Sequence, residues 1–522
     1  MADRLEPGAR ESRGLFGGIF ARTDAATGDA AWLQAMLDTE AGLARALERV
    51  GLAPAGSGEA VTAAAQAENF RVDELGELAA LTGNPVPGLA RALARLVPPP
   101  AGRAVHQGAT SQDIMDTAAM LLARRAIAVV LADLAAAADA AAGLAGEHRA
   151  TIMIGRTLLK QAVPLPFGLV AAGWLTSIDE ARAGLAAVSS RRLAVQFGGA
   201  AGTLASLGDD GPRVAALLAE ELGLARPVLP WHTDRLRIID LAAALARVTA
   251  ALGKIARDVT LLAQSEVGEL SEGIGARGAQ AGPAVPAGPA RPRGTEARTG
   301  PAAPNGSASQ TAAASPRRGG SSAMPHKDNP VAAVAILGCT RQVPGLVATL
   351  VASAEQEHQR AAGGWHAEWE PLTALLRITG SAASWAAELL SGLTVDASRM
   401  AANLAATKDL PLAEHVTSLL AGVLGGIQAR DLVAEAGQRA LSAGLPLRDV
   451  LLAVPKLESR LAAAGITAEQ IESALEPAGY LGAAEAFTAA ALKAHEALEA
   501  RQSRQVRPSQ ESPRGKTLGQ GF

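Results

Sequence analysis

Leu241, Leu245, Val248, Leu252, Ile255, Val259 and Leu262 recur alternately four and three residues apart. A seam of that period, held for about three heptads, puts every large apolar side chain on one face of a long helix. Such a face needs other helices to cover it. Leu33, Met36, Leu37, Leu43, Leu47 and Val50 repeat at helical spacing over 31–52, and Gly51 is placed to end that helix. Similar texture covers 113–147, 165–188 and much of 331–404, while strand-like alternation is scarce. Apolar residues make up 49% of the 522-residue chain but aromatics only 3%, so the core must be built from Ala, Leu and Val. Those side chains suit close helix packing. The expected fold class is all-α, with a central bundle of long helices.

The net charge of -3 gives no electrostatic case for nucleic acid or for an anionic membrane. A single cysteine, Cys339, excludes an intramolecular disulfide and points to a reducing compartment. The opening "MADRLEPGARES" has no apolar signal region, and stretches such as "LADLAAAADAAAGLAGEH" carry acidic residues too often to cross a bilayer. These features point to a soluble, cytoplasmic protein. From 273 to 318 the composition collapses to Ala, Gly, Pro, Arg, Ser and Thr. Such an insertion buries too little apolar surface to offset its ordering entropy and is expected to be disordered, as is the tail 501–522. The eight histidines show no paired ligand spacing and have no companion cysteines, so no metal site is expected. There is no dinucleotide fingerprint, phosphate loop or serine-hydrolase elbow. Any catalysis should be cofactor-free acid–base chemistry.

Polar residues gather at the ends of the helical stretches. "VHQGATSQDIMDT" (105–117) crowds His106, Thr110 and Ser111 before a helix, where hydroxyls and free N–H groups suit a carboxylate. Thr110 or Ser111 could equally be no more than the helix cap. "GRTLLKQAVP" (155–164) places Arg156 and Lys160 around a turn, and Lys160 reads equally well as a ligand group or as solvated surface. "PWHTDRLRI" (230–238) offers His232, Arg235 and Arg237 ahead of the seam helix. "GGSSAMPHKDNP" (319–330) combines two glycines, Ser321, Ser322, Met324, Lys327, Asn329 and a proline suited to a helix start. That density of special residues is more than an ordinary loop needs.

"GSSAMPHKDNP" (320–330) resembles the signature GSSxMPxKxNP of the fumarase/aspartase superfamily. "HQGATSQDIMDT" and "GRTLLKQAVP" resemble that superfamily's first and second conserved regions, and "QSEVGEL" (264–270) its lead-in to the signature loop. Within the superfamily, "GNPVPGLARAL", "PWHTDR" and "QEHQRAAGGWHAEW" look like the bacterial 3-carboxy-cis,cis-muconate cycloisomerase family. The resemblance implies a three-domain helical fold, divided here as 1–105, 106–355 with the 273–318 insertion, and 356–500. It further implies a homotetramer around a twenty-helix core, with each active site shared between subunits. By the same resemblance Ser321 would be the base, with Lys327 and Asn329 holding the developing dianion. His106, Thr110, Ser111, Lys160, Arg235 and Met324 would bind a small tricarboxylate, and no cofactor is implied.

Two positions depart from the pattern. Superfamily lyases typically read GRTHxQ in the second region, where the histidine helps with acid catalysis; this chain has Leu158 there, and Lys160 at the glutamine position. A carboxylate leaving group needs no protonation at neutral pH, whereas an amine or hydroxide does. Losing the acid therefore suits lactone chemistry and disfavours adenylosuccinate or argininosuccinate lyase activity. A catalytically silent protein on the same scaffold is the remaining alternative. The second departure, Asp328 where the family often has Arg, alters the charge of the loop.

Overall fold

All seven residues of the Leu241 seam are buried, on a helix running Leu236–Leu262. The computed structural model describes residues 14–272, 319–320, 324, 327–453 and 455–506; the expected disorder at 273–318 and beyond 506 lies outside these residues, as does Ser321. Helix α1 is Asp29–Arg49, α2 Ser111–Glu147, α3 Phe167–Arg191, α4 Leu236–Leu262, α5 Val331–Ala352 and α6 Gly364–Ser391. Their limits have local causes. Gly51 takes φ +80° just beyond α1, a conformation open to glycine. At the start of α2 the Thr110 N–H donates to Asp113 Oδ2 at 3.0 Å, half of a capping box. Pro164 and Pro166 hold the chain extended, so α3 begins only at Phe167.

The helices α2 to α6 run alternately up and down. Thr117, early in α2, donates to Gln196 O just beyond α3. Trp174, early in α3, donates to Asp258 late in α4. Glu272, after α4, accepts from Ala332 and Ala333 at the start of α5. Trp365, at the start of α6, donates back to Asp116. One end of the bundle thus gathers residues 106–117, 196–200, 231–236 and 353–368, and the other gathers 147–168, 258–272, 319–320, 327–332 and 391–396. The 37 residues of α2 hold those ends about 55 Å apart at 1.5 Å per residue.

The second end carries the only extended structure of any length among the described residues. Strands β1 (Ile152–Thr157) and β2 (Lys160–Pro166) form an antiparallel hairpin with a register shift beside Gly155. The sequence suggested just a turn at this place. Its two turn residues, Leu158 and Leu159, both take positive φ (51° and 63°) and are 97% and 77% exposed. Neither the conformation nor the exposure suits leucine. A second pair, β3 (Leu270–Glu272) with β4 (Leu393–Val395), lies beside it.

The expected division at residue 356 does not match where the core changes. One buried core runs from Leu33 through α1 to α6 as far as Met400, so residues 29–97 and 364–400 both belong to it. A separate core begins at Leu412 and ends at Leu475. Helix α7 (Ala484–Val506) then returns to the first core through Ala491 and Leu492, and it continues past the expected tail boundary at 501. The cause is the stripe Leu372, Leu375, Leu376 and Leu390, which faces the bundle. Helices α2 and α5 are long and apolar enough to cross a membrane by length and composition. Here both are bundle helices, and α2 buries Gln112, Asp113, Asp116 and Thr117 in its first two turns.

At the base of the hairpin, the start of α3 crosses close to the end of α2 at Gly168. A Cβ there would sit 2.8 Å from Ala145 O and 2.9 Å from His148 O, and backbone atoms cannot rotate away. Gly168→Ala should lower stability by about 1–3 kcal/mol, read as a fall in the urea midpoint. An unchanged midpoint would mean that the crossing relaxes at no cost.

Candidate active site

At the first end, the carboxylate of Asp113 is 1% exposed and accepts five hydrogen bonds. Oδ1 accepts from Gln196 Nε2 (3.1 Å), Gly198 N (3.0 Å) and His232 Nε2 (2.7 Å). Oδ2 accepts from Thr110 N (3.0 Å) and Gly199 N (2.8 Å). One side chain thereby fastens two loops to the N-terminus of α2, where Thr110 and Ser111 are half-buried. Arg360 sits at the same rim and donates to Gln112 Oε1 (3.1 Å) and Ala200 O (2.8 Å).

His106 stands just before this helix start with φ +59°. Its backbone N–H donates to Glu40 Oε2 at 2.8 Å, and its Nδ1 lies 2.7 Å from Glu40 Oε1. Glu40 is fully buried in α1, whereas the His106 side chain is 26% exposed. Burial alone would lower the imidazole pKa, but the Glu40 hydrogen bond and charge, helped by Asp113, outweigh it and raise the value.

Arg235 was expected to bind substrate, and the structure corrects this. It is 2% exposed and forks onto two buried carboxylates: Nη1 and Nη2 to Asp116 at 2.7 and 3.0 Å, and Nε and Nη2 to Glu368 at 3.0 and 2.5 Å. Trp365 Nε1 also donates to Asp116, at 3.1 Å. With its donors spent on those carboxylates, Arg235 props the site from behind. Burial pushes the Glu368 carboxyl above its ordinary value, with Arg235 pulling it down. Arg360, rather than Arg235, is the cation at the rim.

The remaining sequence candidates lie at the other end. Asn329 closes the neck of the signature loop: its backbone N–H and its Nδ2 both donate to Gly319 O, at 3.0 and 2.9 Å. Gly319 has φ +77°, and a Cβ on it would lie 2.5 Å from Asn329 O, so only glycine fits. Lys327 and Met324 are exposed, with Lys327 N donating to Met324 O at 3.0 Å. Lys160 is exposed at the first residue of β2. Beneath it Arg156 forks onto the buried Glu269 at 2.7 and 2.9 Å, and Asn403 Nδ2 joins the same carboxylate at 2.7 Å. Arg156 thus welds the second conserved region to "QSEVGEL".

His106, Thr110 and Ser111 therefore come together at one end, and Lys160, Lys327, Asn329 and Met324 at the other. Glu40, Asp113, Glu368 and Arg360 were not singled out from the sequence, although two of them left a trace. Glu40 falls on the stripe 33–36–37–40–43–47, and Glu368 lies three residues from Trp365 on the buried face of α6. A carboxylate on an apolar stripe is a charge that needs a buried partner.

Arg235→Ala would leave Asp116 and Glu368 buried and unopposed, costing about 3–5 kcal/mol near neutral pH. Carboxyls held above their unfolded pKa favour the fold more as pH falls. The gap to wild type in thermal melts should therefore narrow between neutral pH and about pH 5. A gap that widens in acid would contradict this.

The family model described as "Lyase" matches residues 23–278. The chain is 44% identical over 472 residues to nitrosuccinate lyase of Streptomyces davaonensis, covering 88% of this chain and 90% of that protein. It is 42% identical over 466 residues to 3-carboxy-cis,cis-muconate cycloisomerase of Bradyrhizobium diazoefficiens, covering 89% and 93%. The crystal structure of 3-carboxy-cis,cis-muconate lactonizing enzyme from Pseudomonas putida superposes with a TM-score of 0.79 at 37% identity, over 93% of this chain and 99% of that one. A helical bundle carrying these conserved segments at its two ends, with likeness of this extent, makes the chain a member of the fumarase/aspartase lyase superfamily, alongside the 3-carboxy-cis,cis-muconate cycloisomerases.

Proposed function

We propose that this chain is a cytoplasmic cycloisomerase that closes 3-carboxy-cis,cis-muconate to its γ-carboxymuconolactone, in the protocatechuate branch of the β-ketoadipate pathway. The observation that carries the reading is the hairpin tip. Leu158 stands where superfamily lyases have an acid histidine, and no ionisable side chain occupies the two turn positions. A reaction run at such a site needs a leaving group that departs as a stable anion. In the lactone-opening direction a base removes the proton α to a carboxylate, giving an aci-carboxylate, and the ring carboxylate then leaves the β-carbon. Closure retraces this path and gains from intramolecular attack. By resemblance Ser321 is the base, Lys327 stabilises the dianion, and Thr110, Ser111 and Lys160 hold the other carboxylates. Asn329 contributes by shaping the loop neck as well as through any contact with substrate.

About 55 Å of α2 separates Ser111 from the hairpin, so the two groups of residues cannot meet within one chain. The reading therefore requires a homo-oligomer, a tetramer by resemblance, in which the first end of one copy faces the second end of others. Exposed apolar residues on the bundle helices, Val129 on α2 and Val334 and Val351 on α5, together with the Leu158–Leu159 tip, support such a covering. A second reading has its own support, the 44% likeness to nitrosuccinate lyase. Elimination from nitrosuccinate would expel nitrite, which also leaves unprotonated, so Leu158 does not distinguish the two.

Purified protein should consume 3-carboxymuconate by ultraviolet absorbance and leave fumarate, adenylosuccinate and nitrosuccinate untouched. Turnover of nitrosuccinate alone would transfer the assignment to the second reading. Ser321→Ala should cost at least about a hundredfold in turnover. Ser111→Ala and Lys327→Ala, each inactive alone, should regain activity when their subunits are mixed and reassembled. Failure to recover in verified mixed oligomers would argue for a site within one copy.

A further inference from the structure

Breaking the lactone C–O bond leaves an electron pair, and a full negative charge, on the departing carboxylate oxygen. Leu158 cannot meet that charge. His106 can. Glu40 accepts from both the His106 backbone N–H and Nδ1, which fixes the ring's tilt and leaves Nε2 with no carboxylate partner among the described residues. The side chain is 26% exposed, beside Thr110 and Ser111 at the mouth of α2. Its left-handed backbone, φ +59°, is one that a non-glycine residue holds only when its surroundings impose it. A fully buried carboxylate that orients a half-exposed imidazole is the arrangement by which a base's partner fixes tautomer and charge in catalytic triads.

We propose that His106 is a catalytic residue whose Nε2–H hydrogen-bonds the oxygen that leaves carbon on lactone opening, and attacks carbon on closure, with Glu40 as its positioning residue. This rests on the reading that the leaving group is an anion. No proton passes to that oxygen. The C–O pair becomes a carboxylate lone pair, stabilised by the imidazolium, while the α-proton goes to the base on the carbon side. The charged groups facing His106 are Glu40 from α1 and Asp113 from α2, and the second of these is already shared with His232. Glu40 keeps the imidazole protonated to higher pH, so activity falls as pH rises through the His106 pKa. Neutralising Glu40 brings that fall to lower pH.

The test pairs an activity profile with a direct titration. Nitrogen-15 NMR of imidazole-labelled protein follows His106, while kcat and KM for lactone opening are taken across pH for wild type, Glu40→Gln and His106→Gln. In E40Q the NMR pKa and the alkaline limb of kcat should move down together, with KM changed far less. H106Q, which keeps a donor without the charge, should lose about a hundredfold in kcat and lose the limb. An E40Q protein whose NMR pKa moves while its kcat profile stays on that of wild type overturns the assignment. So does an H106Q protein with near-normal kcat. Wild-type turnover, measured first, separately judges the reading of the reaction on which the inference rests.

Discussion

The rigid span of α2 governs most of what this chain can do. Its first turn carries His106, Thr110, Ser111 and Asp113 at or just before it, and its last residue leads into the hairpin that carries Arg156 and Lys160. No loop movement closes about 55 Å of helix. The polar segments are thus fixed at opposite poles of a single copy, and an active site that needs both must be assembled between copies. At the far pole a leucine pair projects into solvent from a turn with positive φ at both residues.

Each pole is built around buried carboxylates that hold something else in place. Asp113 fastens two loops to the helix start, Glu40 aims His106, and Asp116 with Glu368 grips Arg235. At the far pole the buried Glu269 grips Arg156, and the half-buried Glu272 caps α5 where the chain leaves the signature loop. An ion taken from water costs several kcal/mol unless it is well paired. Here the pairing fixes the backbone that presents the exposed groups, so burial cost becomes positional precision. Burial also pushes the Cys339 thiol up to about 12, which makes it an inert core residue.

Much of the helical scaffold was legible because periodicity reports which face a helix must hide. The seam from Leu241 and the start of α2 behind Thr110 came out at nearly their true limits. The hairpin was not legible, since its strands pair locally through a register shift and hold two prolines. Arg235 misled for a related reason. A charged residue in a polar loop looks available, and only its three-dimensional neighbours reveal that both of its faces are taken. Glu40 left the fainter sign of a charge on an apolar stripe, with nothing to say which partner it had.

Period, capping and motif are properties of neighbours along the chain. The sequence by itself therefore determined the long helices, the superfamily and a leucine, Leu158, in the second region that resembles the superfamily's. Which charges face solvent, and which segments share a pole, depend on contacts between residues hundreds of positions apart, such as Arg235 with Asp116 and Glu368. Only the tertiary structure decided those, because desolvation and pairing are set by what packs in space.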